Sequence, residues 1–131
     1  MAVCYDSFSW SFVGLTDVAS GVCVISSVDL TASYTIILPD WTSPARVPAA
    51  LVPWWKLVMA HIVWHESQHL AIAREYAAKV KGALLNGPCT NAGSKAAAQA
   101  VLDDLKTAQD AFDAQQTAAD WQYPPYSGPW S

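Results

Sequence analysis

Two prolines at its start and an Asn-Gly-Pro triplet at its end bracket one very long helical stretch, and this punctuation constrains the fold most. Pro48 and Pro53 mark the approach to the helix, because proline is tolerated only in a first turn. From Ala49 or Pro53 the helical pattern runs to Leu85, and Asn86-Gly87-Pro88 supplies the residues expected past a helix C-terminus. A second stretch follows from about Asn91 to Ala119, apolar at Val101, Leu105, Ala108 and Phe112. So short a turn forces the two helices to lie antiparallel.

The first forty residues follow a different period. Residues 3 to 13 alternate around Tyr5, Phe8, Trp10 and Phe12, residues 22 to 30 are rich in β-branched side chains, and Tyr34 to Leu38 forms a third such run. Gly14, Gly21 and Thr31-Ala32-Ser33 punctuate them. The expectation is an α+β domain: a small antiparallel sheet of about three strands packed on two long antiparallel helices. The 131 residues support one domain, with the sheet in 1–40, the first helix in 49–86, the second in 91–119 and an extended aromatic tail in 121–131. Tyr123-Pro124-Pro125-Tyr126 cannot be helical.

Charge narrows the partners. The net charge is −4 and the seven Lys and Arg residues form no run, so a phosphate backbone has no electrostatic footprint to bind, and nucleic acid is excluded. No apolar run approaches the roughly eighteen residues that span a bilayer. Met1-Ala2-Val3-Cys4-Tyr5-Asp6 lacks the basic start and apolar stretch of a signal peptide, so the protein either works in the cytoplasm or is read here after loss of a leader. Cys4, Cys23 and Cys89 are too widely spaced for a CxxC metal knuckle. Two arrangements fit them: a Cys23 to Cys89 bridge tying the sheet to the interhelical turn, or three reduced thiols acting as small apolar residues.

Within the first helix His65-Glu66-Ser67-Gln68-His69 spells H-E-x-x-H. Histidines four apart project from one helical face, about 6 Å apart along the axis, and can converge on one Zn²⁺. On a helical wheel Val58, Ile62, Ile72, Tyr76 and Val80 fall near the same direction, so both histidines sit on the buried face, where a neutral imidazole needs a partner. Glu66 lies at the edge of that face, placed to take a proton from a zinc-activated water. His61 extends the series, but it is about 12 Å along the axis from His69, too far to share an ion with it. It reads as a core or cleft-lining residue.

Antiparallel packing allows the third ligand to be estimated. Reflection about the turn near residues 88 and 89 sets His65 opposite position 112 or so and His69 opposite 108 or so. Asp110 and Asp113 are the acids in that window. Asp113 lies nearer the apolar stripe and is preferred, giving a gluzincin-like set of two imidazoles and a carboxylate. The chemistry expected of such a set is peptide-bond hydrolysis with Glu66 as general base. Tyr76, His61 and Arg74 are candidates to contact substrate or transition state, and a peptide would add as a strand along an exposed sheet edge.

Cys23-Val24 and a β run, Leu38-Pro39-Asp40-Trp41, the tryptophan-bearing helix with its H-E-x-x-H, Cys89, then Phe112-Asp113 and Thr117 follow one another in this order. Together, over about residues 10 to 120, they resemble the predicted secreted zinc-dependent proteases of bacteria, a family long catalogued as a domain of unknown function. The resemblance implies a secreted or periplasmic home, a peptide or protein substrate, and the Cys23 to Cys89 pairing. It also implies a histidine shortly after the second-helix aspartate, whereas Ala114-Gln115-Gln116-Thr117-Ala118-Ala119-Asp120 stands here. If that histidine is a ligand in the family, Asp120 takes its place or the site is weakened; if the aspartate is the ligand, Asp113 suffices. Two alternatives compete with a peptidase: a non-catalytic zinc-stabilised peptide-binding module, and a structural domain without metal.

Overall fold

The computed structural model describes residues 3–38 and 48–118. In chain order it contains β1 (Val3–Thr16), β2 (Cys23–Ile37), α1 (Leu51–Leu85) and α2 (Asn91–Ala118). The fold is α+β, one two-stranded antiparallel sheet packed against two helices. The expected segments around Trp41, Asp120 and the aromatic tail lie outside the described residues.

Among the described residues the strands number two rather than the expected three. Thr31, Ala32 and Ser33 do not interrupt β2 but pair with Ser9, Phe8 and Ser7. Small side chains without glycine or proline remain compatible with an extended ladder, and a continuous partner strand keeps them there. Gly14 likewise does not end β1. The register shifts between Val13 and Gly14, and the strand continues to Thr16 through that irregularity.

The turn is closed by Asp17, whose carboxylate accepts from the Ala19 amide at 2.8 Å, while Gly21 takes the left-handed φ of 71°. That carboxylate's pKa is held below the usual value, first by the backbone amide of Ala19 and then by that of Ser20. Alternation then sorts the sheet. Phe8, Trp10, Phe12, Val28, Leu30 and Tyr34 turn toward the helices, whereas Ser7, Ser9, Ser11, Asp29, Thr31 and Ser33 face solvent.

At the far end of α1 the Asn86 and Gly87 amides donate to the Gly82 and Leu84 carbonyls at 3.1 and 3.2 Å, ending the helix as its sequence requires. The Thr90 hydroxyl then accepts from the Gly93 amide at 3.0 Å and starts α2. The core lies at this turn end. Ile25, Val28, Val80, Leu84 and Ala98 are buried together, with Trp10, Phe12, Leu30, Val101 and Leu102 packed around them. Leu84 is fully buried, so its truncation to alanine would cost about 2–5 kcal/mol.

Cys23 and Cys89 are joined by a disulfide, clamping the start of β2 to the turn between the helices. Gly14 allows the approach: a Cβ there would meet the two sulfurs at 3.1 and 3.2 Å. Cys4 is a free thiol. Among the described residues no helix is long and apolar enough to cross a membrane.

Candidate metal centre

One end of the helix pair carries the core and the disulfide; the other carries the polar cluster. His65 and His69, one turn apart on α1, turn toward α2, which presents Gln109, Phe112 and Asp113 at one-turn spacing. His65 meets Asp113 and His69 meets Gln109, so both pairings reflect about residue 89, the disulfide-bonded cysteine of the turn. Antiparallel packing with a short turn produces this register.

The geometry is tight. Asp113 Oδ1 lies 3.0 Å from His65 Nε2 and 2.8 Å from His69 Nε2, and the two nitrogens are 3.1 Å apart. A tetrahedral zinc with N and O donors at 2.0–2.1 Å spaces them about 3.3 Å apart, so one ion fits this triangle after shifts of a few tenths of an ångström. His65, His69 and Asp113 are the group of His, Cys, Asp and Glu side chains, among the described residues, arranged to hold an ion. The site is graded in exposure: the His69 side chain is 11% exposed, that of His65 23% and that of Asp113 56%. Its solvent side therefore lies toward Asp113.

Aromatic packing holds the rings. Phe112 stands 4.9 Å from the His65 ring and 5.0 Å from the His69 ring, edge-on to the latter at 89°. Trp64 backs Phe112 at 6.4 Å. Gln109 grips His69 twice: its side-chain amide donates to the His69 carbonyl at 3.0 Å, and its Oε1 accepts from His69 Nδ1.

Glu66 is only 7% exposed. Near it, burial first, and then the charges of Glu66 and Asp6, push the Cys4 thiol's pKa up. His61 lies against Trp64, ring centroids 5.4 Å apart, and burial, followed by the nearby His65, lowers its pKa. Arg74 reaches the sheet instead, its guanidinium 5.8 Å from the Tyr34 ring, and Tyr76 carries the Lys79 ammonium 4.1 Å above its own ring. Asp110 pairs with Lys106 on the exposed side of α2, outside the cluster. Asp120 falls outside the described residues.

Gln109 is absent from the residues expected at the site, because ligand chemistry singles out only the acids in the window opposite His69. A signal for it is nonetheless present: Gln109 stands one turn before Asp113 on the same stripe as Leu105 and Phe112. No curated protein and no solved structure matches this chain. The model of the family described as "Bacterial protein of unknown function (DUF922)" matches residues 4–120, nearly the whole chain, and the protein belongs to that family.

Proposed function

We propose that this protein is a zinc-dependent peptidase in which His65, His69 and Asp113 hold the ion and Glu66 is the general base. The observation that carries the reading is the convergence of two imidazole nitrogens and one carboxylate oxygen, none more than 3.1 Å from another, on an H-E-x-x-H helix. A zinc ion bound there would polarise a scissile carbonyl and lower the pKa of its water toward 7. The chain's own residues do the remaining work. Glu66 accepts a proton from the attacking water and returns it to the departing amine, and Phe112 keeps both imidazoles in place.

An extended peptide is the substrate class, because among the described residues each strand of the two-stranded sheet pairs along one edge only, which leaves the other for strand addition. The Cys23–Cys89 bond supports a secreted or periplasmic home, since such bonds persist in oxidising compartments. One observation favours the alternative of a zinc-stabilised peptide-binding module: Glu66 is nearly buried, which limits its access to a substrate's water. Glu66→Gln separates the two. The peptidase reading expects hydrolysis of an unfolded protein substrate to fall by at least about a hundredfold with zinc stoichiometry retained, within the range general-base catalysis contributes. A wild-type protein that binds zinc and cleaves nothing, or a variant as active as wild type, refutes it.

A further inference from the structure

We propose that Gln109 is a positioning residue that fixes the tautomer of His69 and so aims a bare nitrogen lone pair at the metal position; the inference rests on the zinc reading above. A glutamine side chain offers one acceptor oxygen and one donor nitrogen, and here the nitrogen donates to the His69 carbonyl at 3.0 Å. The oxygen is thereby turned to the His69 ring, where Nδ1 is its partner. An oxygen acceptor requires a hydrogen on that nitrogen. His69 therefore carries its proton on Nδ1 when neutral, and Nε2 is left with its lone pair.

That lone pair points where a second acceptor already stands. Nε2 faces Asp113 Oδ1 at 2.8 Å and His65 Nε2 at 3.1 Å, an arrangement of electron-rich atoms that a cation satisfies. Without Gln109 the ring would be free to place its hydrogen on Nε2 and donate to Asp113, which satisfies both side chains but blocks the donor that zinc needs. Gln109 thus opposes a competing hydrogen bond as well as orienting the ring. Its anchorage is suited to this role, since it is half-buried between the helices and tied to the backbone of the residue whose ring it sets. Phe112, packed edge-on against that ring, blocks its rotation.

Partners of ligating histidines contribute about 10- to 100-fold to metal affinity. Zinc affinity, measured by competition with a chromophoric chelator, is therefore expected to fall by about that factor in Gln109→Leu, which removes both contacts. Gln109→Glu keeps an acceptor for the Nδ1 hydrogen and is expected to recover affinity to within about threefold of wild type. Long-range ¹H–¹⁵N spectra of the zinc-free proteins at pH 8 report the tautomer directly: Nδ1–H for His69 in wild type and Gln109→Glu, and a shift toward Nε2–H in Gln109→Leu. Gln109→Leu with wild-type affinity and an unchanged tautomer overturns the proposal. So does Gln109→Glu failing as badly as Gln109→Leu, which would make the link to the His69 carbonyl the operative contact. A wild-type protein that binds no zinc refutes the metal reading instead, and the tautomer spectra still decide the role of Gln109.

Discussion

Removing the Cys23–Cys89 bond should unfold the protein far more easily while leaving the cluster of His65, His69 and Asp113 intact. The bond closes a loop spanning a sequence separation of 66 residues. In the chain-entropy account, releasing a loop of that length restores to the unfolded chain freedom worth about 4 kcal/mol at 25 °C. A domain of this kind has roughly 5–15 kcal/mol in total, so the bond supplies a large share of it. The rest of the architecture makes the dependence severe, because a lone two-stranded hairpin is marginal and needs the helices beneath it.

The double variant Cys23→Ala/Cys89→Ala tests this in urea, followed by circular dichroism. With a slope of about 2 kcal/mol/M, the midpoint should fall by about 2 M. Zinc affinity of the variant, measured where it is still folded, should stay within about threefold of wild type. His69 lies sixteen residues before the end of α1, about 24 Å from the turn, and separate sites act additively. A loss below about 1 kcal/mol would refute the claim that this bond constrains the unfolded chain. A tenfold weaker zinc affinity in folded variant would refute the independence of the two ends.

Two further outcomes follow from the charges near β1. Burial raises the Asp6 pKa above its ordinary 3.8, so the folded state holds the proton more tightly than the unfolded one. That contribution to stability is complete below pH 3.8 and is lost as pH rises through the folded value. Asp6→Asn should therefore gain in melting temperature relative to wild type between pH 4 and pH 7; a difference that shrinks over that interval contradicts this. Because the Glu66 charge raises the Cys4 thiol pKa, Glu66→Gln should speed alkylation of Cys4 by iodoacetamide at pH 8. An unchanged or slower rate in the folded variant would show that the carboxylate does not act on that thiol.

What is legible in the sequence is what local chemistry determines. Asn86-Gly87-Pro88 sets the hairpin of helices, and the hairpin sets which residues meet, so His65 and Asp113 face one another at 3.0 Å as reflection about the turn requires. A third strand is expected only because Thr31-Ala32-Ser33 looks like a turn by composition, yet its neighbours across the ladder hold it extended. Gly14 looks like a strand end. Its actual role is to clear space for two sulfurs, one of them 75 residues away in sequence, a circumstance no local window contains. The burial of Glu66 is equally hidden, since it depends on tertiary packing over that face of α1, which no local window contains. Gln109 is hidden for a different reason: a neutral side chain does not look like part of a metal site even when it bonds a histidine of the candidate cluster twice.

A zinc K-edge absorption spectrum of the protein loaded with one equivalent of zinc tests the central claim most directly. The account predicts stoichiometric zinc with a first shell of nitrogen and oxygen alone at about 2.0–2.1 Å, carrying the multiple-scattering pattern of two imidazoles. Zinc lost on dialysis, a sulfur neighbour at about 2.3 Å, or a pattern with fewer than two imidazoles would contradict it.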